Sequence, residues 1–209
     1  MARSPQRQVV VYGASGHGKV VADILLAAGV AVRGFVDDGT TKSEVMGLPV
    51  LGRWEWLASQ DPTTMTVALG IGRNDIREEV AGRCEDAGLP LMTAVHPRAV
   101  VSPSATIGAG TAVMAGAVVN PDARIGRGVI INTAAIVEHD GVVGDFAHMS
   151  PNAATGGGVT LGARVHVGVG ASLIPLVNVG DDTVVGAGAV VLRDLPAGVV
   201  AYGVPARIA

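Results

Sequence analysis

The chain has 209 residues, enough for one large domain or two small ones, and 49% of them are apolar. A net charge of −3 with no basic patch argues against a nucleic-acid partner, and a lone cysteine, Cys84, excludes an intrachain disulfide and points to a reducing compartment. Only 3% of residues are aromatic while 30 are glycine, so the core must be built from small branched side chains on a backbone of many tight turns.

The opening MARSPQRQVVVYGAS runs straight into a strand-and-turn pattern and lacks a signal-peptide core. No apolar run reaches the roughly 18–20 residues that span a bilayer. Both features predict a soluble, cytoplasmic protein with no membrane partner. VVVY (9–12) reads as a strand, followed by the glycine turn GASGHG (13–18). KVVADILLAAG (19–29) has helical spacing and ends at Gly29, a C-cap glycine. VAVRGFVDD (30–38) is a second strand and LGRWEWLASQ (51–60) a short helix, with Trp54 and Trp56 assigned to packing. MTVALGIG (65–72) is a third strand, NDIREEVAGRCEDAG (74–88) a helix, and LMTAV (91–95) a fourth strand. Within that helix REEVAGRCED reads as a solvated face, with Cys84 buried and inert. Strands alternating with helices predict βαβ units, a parallel sheet and a Rossmann-like domain over residues 1–94.

From Val95 the period changes to six. Seventeen hexads follow without insertion, starting at 95, 101, 107 and so on to 191, and all but one begin with an aliphatic residue or Met. The fifth residue is mostly small, from Ala99 to Leu195, and the second is often glycine, as at 108, 126, 144 and 168. One large and one small side chain per hexad would point inward, with the second-position glycines supplying the backbone angles of the corners. Three hexads, 18 residues, close one triangular coil. Residues 95–209 are therefore predicted to form a parallel β-helix.

Two stretches break the pattern with chemistry. GASGHG follows a strand and opens a helix, which places backbone N–H groups and a helix N-terminus against an anion such as phosphate. It is not GxGxxG, so no dinucleotide is indicated. Asp37 comes nineteen residues after Gly18, at the end of the second strand, where an acid would meet ribose hydroxyls. His17 is close enough to reach a phosphate or sugar. The second stretch is NTAAIVEHDGVVGDFAHMS (132–150), which holds His139 between Glu138 and Asp140, and His148 nine residues on. His148 occupies a sixth hexad position, read as a corner, and His166 one coil further should stack on it.

The hexads resemble the hexapeptide-repeat acyltransferases, whose coils wind left-handed. With VVVYGASGHGKVV, FVDD, LGIGRNDIR, SPSATIGAGT and AGAVVLRDLPAGVVAYGVPAR, the whole chain resembles sugar acetyltransferases of the NeuD type and, more closely, the PglD-like UDP-4-amino-sugar N-acetyltransferases of bacillosamine synthesis. Acetyl transfer to an amine needs a base that titrates near neutrality and a carboxylate to orient it, so histidine beside an acid suits the task. The resemblance implies His139 as base and Asp140 as its partner, where relatives often carry Glu; Glu138 is the alternative. It implies that His148, Val169 and Ala187 meet acetyl-CoA, Ala187 standing where relatives have glycine. It implies that Gly13, Ala14, Ser15, Asp37, Asp38 and Gly72 hold the nucleotide of a UDP- or GDP-linked amino sugar. No metal is expected. Since 139 and 148 lie half a coil apart, the two histidines would meet only in a homotrimer, His139 of one chain facing His148 of the next. Other readings are an O-acetyltransferase on a sialic-acid-like sugar, a zinc enzyme of carbonic-anhydrase type with histidines between subunits, and a non-catalytic scaffold.

Overall fold

A computed structural model describes residues 7–209. The first strand, β1 (Gln8–Tyr12), sits inside a sheet and is apolar on both sides, as a doubly covered parallel strand must be. It pairs in parallel with β2 (Val32–Val36) on one side and β5 (Met65–Leu69) on the other. Val9 and Val11 pack under α1 (Gly16–Ala27), whereas Val10 and Tyr12 pack under α3 (Asn74–Asp86). Helix α1 begins three residues earlier than the apolar spacing indicates, because Ser15 caps it from an extended conformation. It ends as the sequence suggests: Gly29 is left-handed at φ 75°, and Val30 N–H donates back to the Leu25 carbonyl.

Three elements differ from the sequence reading. Residues 44–52 form a hairpin, β3 (Glu44–Val45) and β4 (Leu48–Gly52), turned by left-handed Met46 and Gly47; β4 joins the edge of the sheet beside β2. The short helix α2 is confined to Trp54–Ala58 as a result. The stretch 91–95 is not one strand of this sheet. Met92 N–H donates to Val67 of β5, but Ala94–Val95, β6, has crossed to the next domain and pairs with Ala112–Val113.

From β6 onward the chain lays down two-residue strands every six residues, ending at β22 (Val190–Val191). Each strand pairs in parallel with the one 18 residues away, as in Val118 with Val100 and Ile136. The strands stack into three faces, and this half of the molecule is a left-handed parallel β-helix. First and fifth hexad residues fill its core, from Val113 and Ala117 through Val185 and Ala189. Burying each aliphatic side chain contributes about 1.5–3 kcal/mol against the unfolded chain. The final coil is two residues shorter: Val184 pairs with Val200, and Leu195 pairs with Val179, taking the place of a first-position residue.

The corners do not work through second-position glycine as the sequence suggests. The left-handed residue is the fourth of the hexad, filled by glycine at 110 or 116 but by Ala134, Asp140, Phe146 and Arg164 elsewhere, all near φ 55–60°. Second-position glycine is needed for closeness. A Cβ on Gly144 would sit 2.6 Å from the Ala163 nitrogen of the next coil, and backbone cannot yield. Gly144→Ala should therefore cost about 1–3 kcal/mol. Gly116→Asn, left-handed and only 3.9 Å from Ala134, should cost less than about 1 kcal/mol because Asn tolerates that conformation. Chemical denaturation of the two variants checks this; equal costs would refute it.

The α/β domain is seated on the first face of the β-helix. Ala112, Met114 and Ile130 of that face share a core with α1, and Phe146 joins the core under α3. Among the described residues no helix is long and apolar enough to cross a membrane.

Candidate functional site

The glycine turn explains its own composition. Gly13 is at φ 109°, a Cβ there would lie 2.5 Å from the Gly70 carbonyl, and one on Gly18 would run into Gly13 itself. The turn packs that closely because α1 starts directly over it. A cleft of about 480 Å³ opens beside it, lined by Gly13, Ser15, Asp37, Asp38 and Gly72 among others. The first turn of α1 carries no acidic side chain, and Ser15 does not cap it with its hydroxyl, so its positive end is left for an anion.

Asp37 accepts hydrogen bonds from the Ala14, Gly39 and Thr40 N–H groups at 2.7–2.9 Å, bracing the glycine turn against the loop after β2. Asp38 accepts from the Tyr12 hydroxyl at 2.6 Å, from Trp54 N–H at 2.8 Å and from Arg83. Burial works to raise the Asp38 pKa, but these three donors hold it below the ordinary carboxylate value. Burial and the neighbouring Asp38 push the Tyr12 phenol well above its own. Arg83 lies 4.3 Å over the Trp54 ring. Ala14 and His17 do not line this cleft; Ala14 contributes its N–H to Asp37 instead.

His17 belongs to a second cluster, in the seam between the domains. Its ring lies 6.5 Å from that of His148, which lies 4.8 Å from that of His166. The stacking of 148 on 166 is as expected, but His148 is not at a corner. A sixth hexad residue opens a strand, here His148–Met149 on the first face, so its side chain points outward under the α/β domain and is only 9% exposed. Burial, then the nearby His166, Arg77 and His17, lowers the His148 pKa to about 3; burial and Arg77 lower His17 to about 4 and also depress His166. All three shifts favour the neutral ring. Asn132 meets His148 Nε2 at 3.0 Å, and Ser150 meets His166 Nε2 at 3.0 Å. Through half-buried Asn132 the cluster reaches the corner between the first and second faces. Val169, exposed, and Ala187 occupy the third positions of that same corner, 18 residues apart.

His139 stands on the next corner, between the second and third faces, with its side chain 62% exposed. Its Nδ1 lies 2.8 Å from Asp140 Oδ2, while Glu138 accepts only the His139 backbone N–H. Asp140 is the ring's partner because its left-handed backbone, φ 59°, folds the short side chain back along the corner. That hydrogen bond, against slight desolvation, raises the His139 pKa, and the Asp140 and Glu138 charges add to it. Gly157, one coil on, leaves room for the ring: a Cβ there would lie 2.6 Å from His139 Nε2. The expected residues thus fall into three groups: the cleft, the seam with its corner, and the His139–Asp140 corner one face away.

One residue of the site region escaped the sequence reading. Arg77, in the stretch read as solvated, is 1% exposed. It lies on the stripe 77, 80, 81, 84 with buried Val80, Ala81 and Cys84, and that helical spacing was the available signal. Cys84 is buried as expected, and burial pushes its thiol up to about 12.

Residues 8–84 match the family model described as PglD N-terminal domain. The UDP-N-acetylbacillosamine N-acetyltransferase of Bacillus subtilis (strain 168) is 38% identical over 116 residues, 50% of either chain. PerB from Caulobacter crescentus, solved in complex with CoA and GDP-perosamine, is 45% identical with TM-score 0.93, covering 97% of both chains. The acetyltransferase domain of PglB from Neisseria gonorrhoeae FA1090, solved with acetyl coenzyme A, is 39% identical with TM-score 0.93, covering 98% of this chain and 100% of that one.

Proposed function

This chain belongs to the PglD-like family of nucleotide-sugar acetyltransferases, and from that premise we propose that it transfers the acetyl group of acetyl-CoA to the amine of a UDP- or GDP-linked 4-amino sugar. The observation that carries the reading is the His139–Asp140 pair, an exposed imidazole held by a carboxylate at 2.8 Å, its other nitrogen without a hydrogen-bond partner among the described residues. The amine nitrogen attacks the thioester carbonyl while His139 Nε2 takes the amine proton. The C–S bond then breaks, and the CoA thiolate leaves and takes up the proton that the His139 imidazolium releases, which regenerates the base. Asp140 fixes the tautomer and stabilises the imidazolium.

The glycine-turn cleft takes the acceptor's nucleotide, with Gly13, Ser15 and Gly72 against it and Asp37 and Asp38 shaping its rim. Acetyl-CoA runs along the corner of Val169 and Ala187 toward His148. Val169 and Ala187 lie on one corner of the prism, His148 on the face beside it and His139 on the next corner, which supports a homotrimer in which neighbouring prisms complete each site. Exposed apolar side chains at the corners, Val169 and Leu176 among them, are suited to such packing.

The test is acetyl transfer itself: acetyl-CoA with GDP- and UDP-linked 4-amino sugars, followed by thiol release and product mass. Absence of transfer to either acceptor would overturn the reading. Asp37→Ala frees the glycine turn, so the acceptor's KM should rise about tenfold, the loss of roughly one hydrogen-bond network contact, while that of acetyl-CoA stays put. A rise in the donor's KM instead would reverse the assignment of the cleft.

A further inference from the structure

We infer that Arg77 is a positioning residue that sets the register between the nucleotide cleft and the coils presenting the transfer site; this rests on the acetyltransfer reading above. Its guanidinium is buried, and among the described residues no carboxylate pairs with it. All its N–H groups go to neutral oxygens instead. Nη1 donates to the carbonyls of Ile71 and Gly72 at 3.2 and 3.0 Å, both residues of the cleft wall. Nε donates to the Gly128 carbonyl at 2.6 Å. Nη2 donates to the Phe146 carbonyl at 2.6 Å and to Asn74 Oδ1 at 2.9 Å. Asn74 in turn donates to the Arg164 carbonyl at 2.8 Å.

Residues 128, 146 and 164 are the fourth positions of three successive coils, stacked 18 residues apart at one corner. Arg77 and Asn74 therefore grip three consecutive coils at one end and the cleft wall at the other. Phe146 leads directly into His148, and Arg164 leads into His166. Packing alone does not call for a cation here, since an apolar side chain of similar volume would fill the space without desolvating a charge. What only arginine supplies is a rigid planar fork of five donors, which fixes several carbonyls relative to one another. An acceptor anchored by its nucleotide must present its amine at a set distance from that anchor, and misplacement by about 1 Å costs on the order of 10²-fold in rate.

The experiment uses Arg77→Lys and Arg77→Met in the full chain, with Asn74→Ala as a milder companion. Each is first checked for cooperative melting. Titration calorimetry gives Kd for GDP or UDP alone and for acetyl-CoA, and steady-state kinetics gives kcat with the nucleotide-linked amino sugar. Both Kd values should stay within about threefold while kcat falls on the order of 10²-fold for the Arg77 variants and about tenfold for Asn74→Ala, because each half still binds but no longer lines up. A kcat within threefold of the parent chain overturns the inference. So does a loss of nucleotide affinity that accounts for the whole loss of kcat/KM, since Arg77 would then serve the cleft alone. If the Arg77 variants do not fold, an unchanged kcat in Asn74→Ala overturns it. A parent chain that binds both ligands yet transfers no acetyl group overturns the acetyltransfer reading instead.

Discussion

His139→Ala should lower kcat by about 10²–10⁴, the usual worth of a positioned general base, and leave the fold intact. The ring is exposed, bonded to Asp140 and lying over the glycine backbone at 157, so its removal opens no buried cavity. Activity within threefold of the parent chain would sink the assignment. The pH profile gives a second, independent reading. His139 must be neutral to accept a proton, so the rate falls as pH drops through its pKa. Asp140 raises that pKa above the ordinary 6.5, which places the acid limb of kcat/KM above that value. Asp140→Asn removes the charge that favours imidazolium, so the limb should move to lower pH while kcat falls by less than in His139→Ala. A limb that stays in place in Asp140→Asn would show that another group titrates.

Chains carrying His139→Ala and chains carrying His148→Ala, each nearly dead, should recover activity when unfolded together and reassembled. His139 stands on a corner and His148 on the first face of the prism, so in a ring of three one interface can draw His139 from a chain with the His148 change and His148 from a chain with the His139 change. Random mixing leaves about a quarter of the interfaces with both native residues, and recovery should approach that share. The burial of His148 under its own α/β domain sharpens the requirement: the neighbour must reach it through the Asn132 edge of the seam. Light scattering that shows an active monomer, or mixed trimers that stay dead, would refute the shared site.

The parallel sheet and the prism could be read from the sequence because each rests on a pattern repeated many times. Val113, Val119 and Ile125 face inward for the same steric reason, so one misfit such as Thr155 does not obscure the period. The corner geometry could not be read this way. The fourth position holds Gly, Asp, Ala, Phe, Asn, Arg and Leu in turn, so composition hides it, and the frequent second-position glycine drew attention to the wrong residue. His139 and Asp140 are adjacent in the chain, so their pairing needed only a corner to be realised. His148 was misplaced because each strand opens at the sixth hexad position, one residue before the inward-facing one, and its burial further depends on a domain docking over that face, which no local pattern encodes. Arg77 was missed for a related reason: its partners are backbone carbonyls 51 and 69 residues away, and carbonyls leave no trace in a sequence. The hairpin at 44–52 lacks the usual Asn-Gly signal and turns at Met46–Gly47 instead.

The grip of α3 on three stacked corners also bears on how the prism comes apart. Each coil bonds only to the coil above and the coil below, so such a column unzips from its free ends, layer by layer. A splint across residues 128, 146 and 164 welds three layers into one cooperative block. His139 and His148 both fall inside that span. Thermal fraying should therefore run in from the far coils, beyond residue 182, and stop short of the layers that carry His139 and His148, which are the last to open.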